Sequence, residues 1–208
     1  RVSRHGLVAF ASSLDQIGPI VRTVTDAGIM LRAIAGADEY DMTCLDRHVP
    51  DYVEVLDETE PPLRIGVARD DAAEADDPTV RRAVDAAVEV FRDAGATIVD
   101  VDLSRLHHGL SAYYLIATSE ASSNLARYDG IRYGRRAEPR PGDTLDDVYA
   151  RSRQDGFGAE VRRRIMLGTF ALSAGYYDAY FRRAAQVRQL LADTFAAAFE
   201  RCDVLLGP

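Results

Sequence analysis

The sequence predicts an α/β fold from three observations. Residues 63–103 read strand, helix, strand: a buried-strand run Leu63-Arg64-Ile65-Gly66-Val67, an apolar helical face at Val80, Val84, Ala87, Val88 and Phe91, and a second strand over Thr97–Leu103. A single helix between two strands of these lengths makes a parallel crossover. Beyond Leu110 apolar residues recur mainly at helical spacing, and the last residues form another strand-like run, Val204-Leu205-Leu206.

Taken in order, residues 7–19 are expected to form a short strand, Leu7-Val8-Ala9-Phe10, running into a Ser/Asp/Gly/Pro loop. A helix follows from about Thr25, with Val24, Ala27, Leu31 and Ile34 on one face. Thr23 with Asp26 three residues on resembles a capping box, and Gly36 marks the stop. Residues 37–62 carry acidic residues and three prolines without sustained period and read as a surface connection. In the crossover, Asp77-Pro78 supplies an N-cap and a first-turn proline, and Gly95 ends the helix. The pattern then predicts a helix over 110–127, an Arg/Gly/Pro-rich connection over Tyr128–Asp143 and a short helix near 144–154. A long helix is expected from about Thr169 to Arg201, its face marked by Tyr176, Tyr177, Tyr180, Phe181, Ala184, Val187, Leu191, Phe195 and Phe199. Cys202–Leu206 closes as a strand, and no internal repeat or low-complexity tract is visible.

Composition is that of a globular chain: 208 residues, 47% hydrophobic and 28% charged. The net charge of −8 gives no electrostatic invitation to nucleic acid or a membrane surface. The apolar runs are too short to span a bilayer, and there is no signal segment at the start. Cys44 and Cys202 lie far apart, without metal or disulfide spacing, and read as reduced thiols of a cytoplasmic protein. The chain begins and stops directly against strand-like runs, which predicts a segment of a longer protein.

The chemistry is limited by one absence: all 25 basic residues are arginine, and there is no lysine. A lysine amine can be tuned to act as a base, whereas a guanidinium stays protonated at any working pH. The paired serines Ser12-Ser13 and Ser122-Ser123 sit in neither a Gly-x-Ser-x-Gly elbow nor a Ser-x-x-Lys motif, and read as loop and capping residues. His107 and His108 are adjacent and would diverge on a helix, and His5 and His48 offer no ligand spacing, so no metal site is expected. No phosphate-cradling glycine loop is present. Arg162-Arg163-Arg164, placed just before an apolar helix, suits either an anion or a solvated helix face. The same two readings stand for Arg127, Arg132, Arg135, Arg136 and Arg140. The tyrosines around Tyr113-Tyr114 and Tyr176-Tyr177 read as amphipathic core residues. From the residues alone, no catalytic site is complete.

Four stretches together resemble one family. Arg1–Pro19 (RVSRHGLVAFASSLDQIGP) is similar to the segment that follows the signature region of amidase-signature enzymes. Glu120–Gly134 (EASSNLARYDGIRYG) and Gly156–Tyr180 (GFGAEVRRRIMLGTFALSAGYYDAY) resemble the A-subunit branch, from the glutamyl-tRNA(Gln)/aspartyl-tRNA(Asn) amidotransferases. Asp203–Pro208 (DVLLGP) resembles the strand leading into the family's C-terminal part. The resemblance runs in register along essentially the whole chain. It implies a partial amidase-signature domain over residues 1–208, a mixed sheet flanked by helices and truncated at both ends.

The same resemblance implies a glutaminase subunit that releases ammonia from glutamine. A B subunit would use ATP and magnesium to activate the amino acid misacylated on tRNA, and a C subunit would strap the two together. No cofactor is implied for this chain. The family's Ser–cis-Ser–Lys triad aligns upstream of Arg1, so no catalytic residue is assigned here. Two substrate contacts do carry over: Arg164 as the grip on the glutamine α-carboxylate, and Tyr113 as a wall of the pocket. The acidic partner for the glutamine amino group aligns beyond Pro208. Arg135-Arg136 and Glu138–Gly142 depart from the family pattern, the connection being longer and more basic. A catalytically silent scaffold and an amidase acting on another amide remain alternatives.

Overall fold

The computed structural model describes residues 1–57, 63–68 and 77–208. The end of the expected surface connection, 58–62, lies outside these residues, as does 69–76. The chain divides into two compact units, Arg1–Thr59 with Ile116–Tyr176, and Glu60–Leu115 with Tyr177–Pro208.

The second unit holds the sheet. β1 (Arg64–Ala68) is central, with β2 (Thr97–Val101) on one side and β3 (Val204–Leu206) on the other, both parallel to it. The expected crossover is present. Asp77 caps α2 (Pro78–Asp93) by accepting from the Thr79 N–H at 2.7 Å, and Gly95 turns the chain at φ +92°. The two-residue period of the strands then sorts the core. Ile65 and Val67 pack with Val88 of α2, joined by Ile98 and Leu206. On the other cluster Val101 and Leu103 pack with Ala198 and Cys202, joined by Val99, Phe195 and Leu205. Each such large side chain contributes roughly 1.5–3 kcal/mol by leaving water. Gly66 is small for a reason. A Cβ there would stand 2.6 Å from Cys202 Sγ and 2.7 Å from Leu205 Cδ2. Cys202 is therefore core, and both cysteines are free thiols. β3 is stitched to β1 by Asp203, which accepts from the Arg64 backbone N–H at 2.8 Å and from its Nη2 at 2.7 Å.

The first unit is helical. α1 (Val24–Ile34) is capped by Thr23, whose hydroxyl accepts from the Asp26 N–H at 3.1 Å. α3 (Gly109–Asn124) contributes Ile116–Asn124, since the division falls within it; α4 (Leu145–Gly156) and α5 (Ala159–Leu172) follow. The buried stretch of α3 is small-sided, with Ala117, Thr118, Ser119 and Ala121, and Gly168 of α5 lies against the backbone of Thr118 and Ser119.

Two expectations are corrected. Leu7–Phe10 is not a strand: Leu7 and Val8 are exposed, and Gly6 turns the chain at φ +83°. Side chains take the backbone groups that a ladder would use. The Asp15 carboxylate accepts from Phe10 N–H at 2.9 Å and Ala11 N–H at 3.0 Å, and Asn124 Nδ2 donates to Phe10 O at 3.1 Å. Local capping of this kind competes directly with sheet formation. Nor is the stretch from Thr169 to Arg201 one helix. α5 begins ten residues earlier, ends at Leu172, and is followed by extended Ser173 and by Gly175 at φ +85°. A single π-helical turn, Asp178–Arg182, then leads into α6 (Arg183–Phe199). Arg162–Arg164 consequently lie inside α5 rather than before it.

The Arg/Gly/Pro-rich connection is irregular, yet pinned by three consecutive residues of α4. Arg151 bonds both Asp143 oxygens and donates to Glu138 O. Ser152 Oγ accepts from Ala137 N–H at 2.9 Å, and Arg153 Nη1 donates to Tyr128 O at 3.2 Å. The Arg151 hydrogen bond, with one from the Arg140 backbone, holds the Asp143 carboxyl at about 2, below its ordinary 3.8. Because the folded value is the lower one, the pair stabilises the folded chain above pH 3.8, and that contribution disappears as pH falls towards 2. Asp143→Asn should therefore remove part of the stability lost between pH 4 and 2, measured by circular dichroism in an acid titration. An unchanged acid profile would show that this pair does not hold the connection. Among the described residues no helix is long and apolar enough to cross a membrane.

Candidate substrate clamp

The arginine triplet sits in the first turns of α5, and helical spacing decides what each member meets. Glu160, in the first turn, is four residues before Arg164 and three before Arg163, the separations at which helical side chains are neighbours. It bonds both. Arg164 Nε donates to Glu160 Oε1 at 2.8 Å, and Arg163 Nη2 lies 2.7 Å from Glu160 Oε2. The Arg164 side chain is 24% exposed, against 68% for Arg163, so Arg164 is the sheltered member. The Arg164 bond foremost, with help from Arg163, holds the Glu160 carboxyl below the usual carboxylate range despite some desolvation.

The other wall of the clamp comes from the loop that replaces the expected first strand. The Arg164 guanidinium lies over the Phe10 ring, 5.7 Å from its centroid, within the range of cation–π attraction. Phe10 is fixed through its own backbone by Asp15 and Asn124. The loop is then clipped to α3 by residues one helical turn apart. Glu120 accepts from Ser13 N–H at 2.9 Å and from Ser13 Oγ at 2.5 Å, and Asn124 Nδ2 donates to Ser12 Oγ at 2.9 Å. The sequence thus contains a path from two α3 side chains, through an irregular loop, to the orientation of one guanidinium.

The remaining candidates fall elsewhere. Tyr113 lies on α3 in the second unit, 41% exposed, its ring edge-on to Tyr114 with centroids 5.4 Å apart. Arg164 belongs to the first unit. Ser122 and Ser123 hydroxyls donate back to Ser119 O at 2.8 and 3.4 Å, as helix-interior serines do. The rings of His107 and His108 lie tilted against each other, and His5 lies against Tyr40. Among the described residues no group of three or more His, Cys, Asp or Glu is placed to hold a metal ion. Arg135 and Arg136 are exposed on the pinned connection. Glu160 and Phe10 were not singled out from the sequence. The Glu-to-Arg spacing of four was there to be read; nothing local marks Phe10.

By its crossover and parallel strands this is an α/β protein with an arginine oriented by a helix and a loop. A family model described as Amidase matches residues 1–208, and the chain belongs to that family. It is 53% identical over 208 residues to the A subunit of glutamyl-tRNA(Gln) amidotransferase from Alkalilimnicola ehrlichii, covering all of this chain and 43% of that one. It is 56% identical over 208 residues to the protein of the same name from Anaeromyxobacter dehalogenans, covering all of this chain and 42% of the other. The crystal structure of the A subunit of glutamyl-tRNA(Gln) amidotransferase from Thermotoga maritima is similar, with a TM-score of 0.71 and 37% identity, covering all of this chain and 40% of that chain. The chain therefore spans about two fifths of the length of the relatives it matches.

Proposed function

We propose that this chain is the part of an amidotransferase A subunit that orients glutamine for hydrolysis. The subunit would release ammonia for conversion of Glu-tRNA(Gln) to Gln-tRNA(Gln), of Asp-tRNA(Asn) to Asn-tRNA(Asn), or of both. The observation that carries the reading is identity of 53% and 56%, unbroken over all 208 residues, to two proteins of that name. In this proposal residues 1–208 are a partial amidase-signature domain of a cytoplasmic enzyme. The B subunit, with ATP and magnesium, activates the amino acid on tRNA, and the C subunit holds the assembly together.

Within that reaction the present residues bind rather than cut. A serine attacks the side-chain amide carbon, ammonia leaves, and water releases glutamate from the resulting ester. Position governs whether the attack succeeds, because a reacting carbon misplaced by about 1 Å can cost on the order of 100-fold in rate. Arg164 supplies the reference point by gripping the α-carboxylate through paired N–H donors, a geometry suited to a planar guanidinium. Tyr113 is assigned as a wall of the same pocket on the family alignment. With no lysine in the chain, a lysine that activates the serine must come from residues outside these 208. The 208-residue chain alone should therefore release no ammonia from glutamine above a buffer blank. A complete subunit carrying this segment, assembled with its partners, should release it readily. Turnover by the isolated segment would reject this division of labour.

A further inference from the structure

Resting on the tRNA-dependent reading above, we propose that the connection between α3 and α4 is an RNA-binding surface, through which this subunit itself touches the misacylated tRNA. The stretch from Arg127 to Arg140 carries five arginines, Arg127, Arg132, Arg135, Arg136 and Arg140, against Asp129 and Glu138. All five are exposed. The aspartates at either end are already engaged. Asp129 accepts from the Ile131 N–H at 2.8 Å and from the Arg132 N–H at 3.3 Å, inside its own turn. Asp143 is held by Arg151 of α4. Positive charge is thus gathered on one short stretch of a chain whose net charge is −8. A planar guanidinium offers paired donors that match phosphate oxygens.

An aromatic ring argues for RNA over an acidic protein. Tyr133 stands among the arginines, 55% exposed, with its ring 6.1 Å from that of half-buried Tyr128. Unpaired bases stack on such rings, whereas a carboxylate surface offers them only charge. A fixed backbone argues for a binding surface over a solvated loop. Gly130, at φ +80°, donates its N–H to Tyr133 O at 3.0 Å and closes the turn that carries Arg132. A Cβ on Gly130 would stand 2.7 Å from Ser152 Oγ and 2.9 Å from Arg135 O, so this turn lies tight against α4. Ala137 is buried and bonded to Ser152, which anchors the chain directly after Arg135-Arg136. A surface held in this way loses little freedom when a ligand arrives. Arginines that served only to solvate the loop would leave tRNA affinity indifferent to their removal.

The test uses a complete subunit carrying this segment, assembled with its partner subunits, and transcripts of tRNA(Gln) and tRNA(Asn) as probes. Filter binding gives Kd across roughly 50 to 200 mM salt, and glutamine hydrolysis is followed without tRNA. The triple variant Arg132→Gln, Arg135→Gln, Arg136→Gln should raise Kd for the bound tRNA about tenfold. It should also lower the slope of log affinity against log salt by about two, as lost phosphate contacts require. Tyr133→Leu should raise Kd about fivefold and leave the slope unchanged, because stacking releases no counterions. Glutamine hydrolysis without tRNA should stay within twofold in both variants. Where the triple variant does not assemble, Tyr133→Leu decides alone: weaker binding at an unchanged slope supports the surface, and full tRNA affinity assigns the arginines to an acidic partner protein and overturns the proposal. A Kd within twofold of the unmodified assembly, for either variant that assembles, likewise overturns it and leaves the tRNA-dependent reading intact. An unmodified assembly that binds neither transcript at low salt would overturn that reading, and this proposal with it.

Discussion

Replacing Arg164 with alanine in a complete, assembled subunit should raise the KM for glutamine about 10- to 100-fold and remove its advantage over the α-methyl ester. The magnitude follows from what is lost. Hydrogen bonds to a charged partner contribute about 1.5–3 kcal/mol, or roughly one to two powers of ten. On the proposed reading the interaction is with the α-carboxylate, remote from the amide that is broken, so much of the effect belongs in KM. A smaller part should appear in kcat, because a substrate held less firmly at one end is presented less often at the other. Arg164→Lys should recover little. An ammonium cannot offer two parallel donors from a plane, nor keep one of them on Glu160 while lying over Phe10. The measurement is steady-state ammonia release against both substrates. A glutamine KM within twofold of the unmodified enzyme would remove Arg164 from the site.

Much of this was legible in the sequence, and the misses have identifiable causes. The crossover could be read because each signal agreed: a buried strand, an N-cap with Pro78 behind it, an amphipathic helix and Gly95. Such consistency between local and global preference marks a segment whose structure is locally specified. Leu7–Phe10 misled because its strand-like run is overridden from outside, by Asn124 more than 100 residues away and by the nearby Asp15. The helix boundaries near residue 170 misled for another reason. α5 exposes Met166, Leu167 and Phe170, so its apolar pattern does not report one buried face, and the tyrosines beyond it kept a helical period across the break at Ser173–Gly175. Of the candidate clamp, Arg164 was proposed from a family pattern, Glu160 stood at a readable spacing without being singled out, and Phe10 reaches the guanidinium only through tertiary packing.

Gly168 sits where α5 meets the backbone of α3, and Gly168→Ala should strongly destabilise the first unit. A Cβ at this position would stand 2.5 Å from the Thr118 carbonyl carbon and 2.9 Å from the Ser119 nitrogen. Both are backbone atoms inside α3, so no rotamer change can relieve the overlap, and α5 must move away from α3 as a body. Overpacking of a close-packed interior typically costs 1–3 kcal/mol, and more where backbone must shift; about 3 kcal/mol is expected here. For a chain of this size that corresponds to roughly 6–12 °C in Tm. Arg164 lies one turn away on the same helix, so the displacement should also carry the guanidinium off Phe10 and raise the glutamine KM about tenfold. Gly156→Ala is the control, because a Cβ there meets nothing within 4 Å; it should change Tm by less than about 2 °C and leave KM alone. Calorimetry and glutamine kinetics on the two variants decide the matter. If Gly168→Ala melts and binds like Gly156→Ala, α5 does not press on the backbone of α3.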